Sequence, residues 1–460
     1  MTRPVKKLRV LIVTLFALIG VYICGDVADL VPGFFTLKEP QNAAQPYPDY
    51  DGNSNFPEKD ISVPQMDPDA PIPDSQAISQ ILHDLATNEK MTGKISALVA
   101  DTISGETLAE ISAKRPTTPA SVNKLLTAVA ALSVFDPNDK FATETKYADG
   151  TLYLVAGGDV LLAAESGQKQ QVIGRAGLGD LAQETVRALQ AQGIKKINLA
   201  LDTTIFADET YLAGAEADIK RWVMEASPIA INRNLQQSEQ YLGSPKQQVL
   251  RQFTNLLRNN GIEVAASNFA PAPKTAKLLA KVESAPIREI VDLTLLNSDN
   301  TLAETLGKMI AVKTGQQGSF RNGAQAVRKE LAQLGLNTDG VHLADASGLS
   351  EENRITAQLG KEILQYIAKC TDQSCAALLP ALPIAKLDGT LRERFTNLPI
   401  GGKVRAKTGS LGSVTSMAGF LYTNSGRQLT FVIMIDTVPD GGAYALRPLV
   451  DHAIAQIIAL

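Results

Sequence analysis

Ser121 and Lys124, in the stretch "PASVNKLLT", stand three residues apart. On a helix that spacing puts both side chains on one face, where the lysine amine can reach the serine hydroxyl. A serine hydroxyl is a weak nucleophile until a base takes its proton. Lysine serves as that base only when burial or a neighbouring cation lowers its pKa. The pair therefore reads as a candidate for acyl transfer through a serine ester. Two other groups could complete such a site. Ser298, Asp299 and Asn300 in "LLNSDNTLAETLGKM" offer a hydroxyl that could pass a proton to a leaving group and an amide that could orient Lys124 or a substrate. The same residue types are also the preferred helix N-caps. Lys407-Thr408-Gly409, followed by Ser410, offers a cation, two hydroxyls and a bare glycine past which a substrate backbone can approach.

Both the first and the third motif have a second copy. Ser166-Gly-Gln-Lys169 repeats the serine–lysine spacing, but in a Gly/Gln-rich loop without a helical frame. Lys313-Thr314-Gly315 repeats the triplet at the end of the helix that begins at Asn300, where a lysine followed by glycine is ordinary C-terminal capping. Lys407-Thr408-Gly409 lies instead on a strand just before a turn, so it is the triplet assigned to the site.

These residues need a scaffold. "SQAISQILHDLATNE" carries Ile78, Ile81, Leu82 and Leu85 at helical spacing. "KISALVADTISGETLAEISA" reads as a β-hairpin turning at Ser104-Gly105. "SVNKLLTAVAALSVF" follows as an apolar helix. Between about 141 and 280 strand-like runs ("GTLYLVAGG", "KKINLALD") alternate with helical ones ("LGDLAQETVRALQAQG", "KQQVLRQFTNLLRNNG"), which predicts one or two inserted subdomains. "GKVRAKTGS", "VTSMAGFLYT" and "RQLTFVIMID" predict three consecutive strands, and the chain closes in a helix. Antiparallel strands with helices from both chain ends predict an α/β sandwich.

The 460 residues suffice for two or three domains. A net charge of −4, with no long basic run after the first ten residues, gives no reason to expect nucleic acid. His83, His342 and His452 are scattered and form no zinc motif, so a metallopeptidase is disfavoured and no metal or cofactor is expected. No G-x-S-x-G elbow appears, which disfavours a Ser-His-Asp hydrolase. Residues 1–35 hold basic positions and then an apolar run from Val10 to Gly25, read as a membrane anchor in preference to a cleaved signal because no clear A-x-A site follows. Residues beyond it would then work outside the cell membrane. Residues 36–76 are rich in Pro, Asp and Asn and read as a linker. Residues 77–140 and 281–460 are assigned to the catalytic domain and 141–280 to the insertion. Cys370 and Cys375 could form a small-loop disulfide or remain two thiols near a helix end.

Serine-x-x-lysine, Ser-Asp-Asn and Lys-Thr-Gly, in that order, are shared by penicillin-binding proteins and class A β-lactamases. Within that group the chain resembles the type-4, low-molecular-mass penicillin-binding proteins, which are serine D-alanyl-D-alanine carboxypeptidase/endopeptidases. The resemblance runs from roughly residue 78 to 458 and rests on "PASVNKLLTAVAAL", "LYLVAGGD", "KVESAPIREIV", "NSDNTLAETL", "DASGLSEENRIT", "LPIAKLDGTLRERF" and "VRAKTGSLGSVTSMAGFL". The long interval between Ser121 and Ser298 resembles the large insertion of this family. The resemblance implies a transpeptidase fold, a five-stranded antiparallel sheet between helical layers, carrying inserted subdomains. It implies that Ser121 attacks a terminal D-Ala-D-Ala bond of a peptidoglycan stem peptide with Lys124 as base. Ser298 would relay the proton, Asn300 position the acyl group and Lys407 add positive charge. Thr408, Gly409 and Ser410 would hold the substrate, and β-lactams would acylate Ser121. Asp159, in the "GGD" stretch, matches a position that can contact a substrate amine, although Val160 stands where proline is usual. "YLAGAEADIKRWVMEAS" departs from the family pattern. "DASGLS" and "LDGTLRERF" read from their residues as turn-forming scaffold. A β-lactamase or esterase on the same scaffold, or a catalytically weak penicillin-binding scaffold protein, are the alternatives.

Overall fold

The computed structural model describes Tyr22 and residues 64–213, 219–235, 241, 243–395, 397–439 and 441–460. The apolar run expected to anchor the chain lies, Tyr22 apart, outside them. No helix among the described residues is long and apolar enough to cross a membrane. Helix α1 (Ser75–Ala86) buries Ile78, Leu82 and Leu85, the stripe set by its spacing, and Asp74 caps it by accepting from the Gln76 N–H. β1 (Lys94–Asp101) and β2 (Thr107–Ile111) pair as an antiparallel hairpin. A 3-10 turn, Ala120–Val122, leads directly into α2 (Asn123–Val134).

The chain then builds β3 (Lys140–Ala148), β4 (Thr151–Val155), α3 (Leu178–Ala191), β5 (Lys196–Asp202), α4 (Pro245–Asn259), β6 (Glu263–Phe269) and β7 (Lys277–Pro286). These strands form one mixed sheet in the order β6-β5-β4-β3-β7. The β4–β5 and β5–β6 pairs are parallel because helices intervene, and β3 pairs antiparallel with β4 and β7. Leu181, Val186, Leu189, Val249, Phe253 and Leu257 from α3 and α4 fill the core beneath it.

Helices α5 (Ile287–Leu296), α6 (Asn300–Lys313), α7 (Phe320–Gln333), α8 (Ala357–Lys369) and the short α9 (Gln373–Ala376) follow. β8 (Val404–Leu411), β9 (Val414–Tyr422), β10 (Gln428–Asp436) and α10 (Arg447–Ala459) end the chain. The last strands join the first hairpin in a five-stranded antiparallel sheet, β2-β1-β10-β9-β8. Every residue of β10 is buried, so its sheet needs a layer on each face. Phe431, Ile433 and Ile435 pack with α1 and α10 on one side, and Val432 and Met434 with α2, α8 and the other helices on the opposite side. A five-stranded antiparallel sheet between helical layers is the architecture that the sequence motifs implied.

The stretch expected as linker to residue 76 is partly docked. Ala70 is buried, Asp67 N–H donates to the Gly426 carbonyl, and Arg427 donates to the Pro68 carbonyl at 2.6 Å. Arg427 also grips the buried Asp101 carboxylate at 2.6 Å and 2.9 Å, so residues 67–70 are tied to a buried ion pair. Cys370 and Cys375 are joined as a disulfide.

Candidate active site

Two features force Ser121 into place before any side chain acts. Ala120, just ahead of it, has φ +47°, a left-handed backbone that turns the chain sharply into α2. β8 then presses on that turn at Gly409. A Cβ added there would lie 2.7 Å from the Pro119 carbonyl oxygen and 2.9 Å from the Ser121 nitrogen. Ser416, opposite Gly409 on β9, anchors the same turn by donating to the Pro119 carbonyl at 2.6 Å. The bare glycine thus serves a close approach within the protein, strand against nucleophile turn.

Lys124 lies on α2 with no exposed surface. Its Nζ donates to Ser121 Oγ at 2.9 Å, to Asn300 Oδ1 at 2.6 Å and to the Ser347 carbonyl at 2.7 Å. The amine is therefore aimed at the hydroxyl by two further acceptors, one from α6 and one from the "DASGLS" loop. That loop, read from sequence as scaffold, contributes a backbone oxygen directly to the site. Gly348 makes this possible: its φ is +84°, and a Cβ there would stand 1.9 Å from the Ala120 carbonyl oxygen. Gly348→Ala is expected to destabilise the fold by at least roughly 1–3 kcal/mol, read as a lower urea midpoint. An unchanged midpoint would show that the loop is not held here.

A buried charged stack stands behind the loop. Asn300, Glu304 and Lys308 recur every fourth residue and so share one face of α6. Glu304 Oε1 accepts from the Ala346 and Ser347 N–H groups at 3.1 Å and 2.8 Å, fixing the chain just ahead of the carbonyl that holds Lys124. Lys308 Nζ lies 3.6 Å from the other Glu304 oxygen and 3.2 Å from the centroid of the Phe320 ring. Asp345 ties the loop internally, accepting from Gly348 N–H, Ser350 N–H and the Asn353 amide. Burial first, and the Glu304 charge second, push its carboxyl up to about 6.

Ser298 and Asn300 flank the N-cap of α6, and that cap is Asp299. Its carboxylate accepts from the Leu302 N–H and pairs with Arg233 at 2.5 Å. The capping reading falls on Asp299, and the two residues expected to do chemistry flank it. Ser298 takes φ +56°, and Lys407 Nζ donates to its Oγ at 2.8 Å. The Asn300 amide donates to the Trp222 carbonyl at 2.8 Å, which leaves its oxygen for Lys124. On β8, Thr408 and Ser410 alternate to one face. Thr408 donates to Thr390 Oγ1 at 2.8 Å, and Ser410 accepts from Arg447 at 2.7 Å. Thr390, in "LDGTLRERF", and Arg447 were not singled out from sequence.

The site's charges are unusual. Burial lowers Lys124 to about 8, against the raising pull of Asp345, Glu304 and Asp299. Lys407, also fully buried, is held well below the usual lysine range by burial and by repulsion from Lys124. Its partners are the Ser298 hydroxyl and the Thr408 carbonyl, and none of its ion pairs appears among the described residues.

Three sequence candidates fall outside this cluster. Asp159 is 2 % exposed and lines an internal pocket with Phe141, Ile290, Leu302 and Leu306. Its Oδ1 accepts from the Leu161 N–H at 2.8 Å, a local turn that points the carboxylate inward. Burial pushes its carboxyl up to about 7. Lys313 is half exposed and pairs with Asp139 at 3.4 Å, at the end of α6. Ser166 and Lys169 are exposed in the loop before α3.

A family model described as the D-Ala-D-Ala carboxypeptidase 3 (S13) family matches residues 78–243 and 236–452. A carboxypeptidase of Mycobacterium tuberculosis is 33% identical over 370 residues, covering 78% of this chain and 79% of that protein. Carboxypeptidase DacB of Mycolicibacterium smegmatis is 32% identical over 403 residues, covering 85% and 86%. Among solved structures, penicillin-binding protein 4 of Haemophilus influenzae superposes with a TM-score of 0.68 at 21% identity, over 82% of this chain and 97% of that one.

Proposed function

The chain belongs to the D-Ala-D-Ala carboxypeptidase 3 (S13) family and is a serine D-Ala-D-Ala carboxypeptidase, and on that premise we propose how its residues divide the work on peptidoglycan stem peptides. Ser121 Oγ attacks the carbonyl carbon of the terminal D-Ala–D-Ala amide while its proton passes to Lys124. The observation that carries this reading is the Lys124 amine, aimed at Ser121 Oγ at 2.9 Å by acceptors from two other elements. Collapse of the tetrahedral adduct breaks the C–N bond. The proton reaches the leaving amine through Ser298, which the Lys407 amine orients. Backbone N–H groups of Ser121 and Ser410 stabilise the oxyanion that develops only in the adduct. Asn300 positions the acyl group, and Thr408 and Ser410 take the terminal carboxylate. Water then hydrolyses the serine ester. β-Lactams acylate Ser121 as mimics of the substrate. Mass spectrometry of a penicillin-labelled digest tests the assignment, since label on any peptide lacking Ser121 would overturn it.

The base must be neutral to accept a proton, so its pKa fixes a pH limb. A Lys124 pKa of about 8 means that the competent amine is present above that pH and is lost as pH falls through it. Acylation by benzylpenicillin is expected to rise through about pH 8 and then level. Glu304→Gln keeps an oxygen for the Ala346 and Ser347 N–H groups but removes a charge that raises Lys124. The limb should therefore move to lower pH. A limb that stays in place with the plateau lowered would make Glu304 a packing residue only.

The N-terminal segment supports a location outside the cell membrane with the chain held by that segment, since basic residues precede the run from Val10 to Gly25. N-terminal sequencing of the protein from membrane fractions checks this: a mature N-terminus beyond Gly25 would mean a cleaved signal.

A further inference from the structure

Arg447 is the first residue of α10, remote from the nucleophile in sequence, yet its guanidinium donates to Ser410 Oγ at 2.7 Å. The Tyr444 ring lies 4.3 Å from its Cζ and limits how the guanidinium can turn. The nearby acid on the same helix does not neutralise it, because Asp451 is held by Arg394 at 2.5 Å and 3.0 Å. Arg447 Nε is buried and has no hydrogen-bond partner among the described residues. An arginine stays charged when buried, and its forked donors suit a carboxylate better than a hydroxyl alone. A guanidinium with no ion pair among the described residues thus sits at one end of the hydroxyl face that Thr408 and Ser410 share.

We propose that Arg447 is a specificity-determining residue that recognises the free C-terminal carboxylate of the substrate at Ser410, and so selects peptides ending in a carboxylic acid over amidated ends or bonds inside a chain. The inference rests on the carboxypeptidase reading above and names the group that makes the cleavage terminal. Lys407 supplies a donor to Ser298, while Arg447 supplies permanent charge farther along the strand. The bound carboxylate would lie along the hydroxyls between them.

The test compares diacetyl-L-Lys-D-Ala-D-Ala with its C-terminal carboxamide, measuring D-alanine or D-alaninamide release by the wild type, Arg447→Met and Arg447→Lys. Arg447→Met should lower kcat/KM for the acid by roughly 10- to 100-fold, the worth of a hydrogen bond to a charged group, and change that for the amide by less than about threefold. Arg447→Lys keeps the charge and should recover part of the acid preference. Equal losses on both peptides would make Arg447 a mere support for Ser410 and overturn the proposal. So would a wild type that cleaves acid and amide equally well, even though cleavage itself survives. A wild type that releases nothing from either peptide would overturn the peptidase reading, and this inference with it.

Discussion

Ser121→Ala is expected to abolish D-alanine release and covalent labelling by a fluorescent penicillin together, with kcat/KM falling by roughly 10⁴-fold or more. The two losses should coincide because both reactions form the same bond, from Ser121 Oγ to a carbonyl carbon. The fold should survive: Ser121 lies in a three-residue turn whose anchor, the Ser416 hydroxyl on the Pro119 carbonyl, does not involve its side chain. Removing the hydroxyl leaves Lys124 with Asn300 and Ser347 as partners, so the amine stays placed with nothing to deprotonate. A variant that still took up the label would sink the nucleophile assignment. A wild type that turned over the penicillin rapidly would point instead to a β-lactamase on this scaffold.

The second large effect separates the two Lys-Thr-Gly triplets. Lys407→Ala removes the donor on Ser298 Oγ and the buried amine beside Lys124, and should cost roughly 10²- to 10³-fold in kcat/KM, the scale of losing one preorganised donor at developing charge. Lys313→Ala removes a half-exposed partner of Asp139 on the far end of α6 and should leave the rate within about twofold, since exposed pairs contribute little. D-alanine release under saturating and subsaturating peptide measures both. A Lys313 variant as impaired as the Lys407 variant would mean that the wrong triplet was chosen.

Much of this was legible in the chain because side chains announce themselves by spacing. Ser121 and Lys124 share a helix face, and the strand-like runs from Val404 to Asp436, separated by short turns, mark three adjacent strands. The Ser347 carbonyl was not legible, since a backbone oxygen has no sequence signature and depends on how Gly348 lets the loop close on Ala120. Glu304 could have been found: it lies four residues beyond Asn300 and four before Lys308, charged positions on one face of a helix otherwise full of apolar residues. Arg447 could not, because only the folded chain brings the start of α10 to Ser410. Asp159 is a related case. The motif gave its position along the chain but not the turn at Leu161 that directs its carboxylate inward.

The pairing of β1 with β10 has a consequence for how the molecule comes into being. The strand at the middle of the catalytic sheet is the last strand made, and its partner is the first. A nascent chain halted between residues 422 and 428 has a hairpin at one end, two strands at the other and nothing to bridge them. Such long-range closure is slow compared with local folding. Premature stops and C-terminal deletions should therefore yield no partially active fragment: reactivity arrives all at once, after translation has nearly finished.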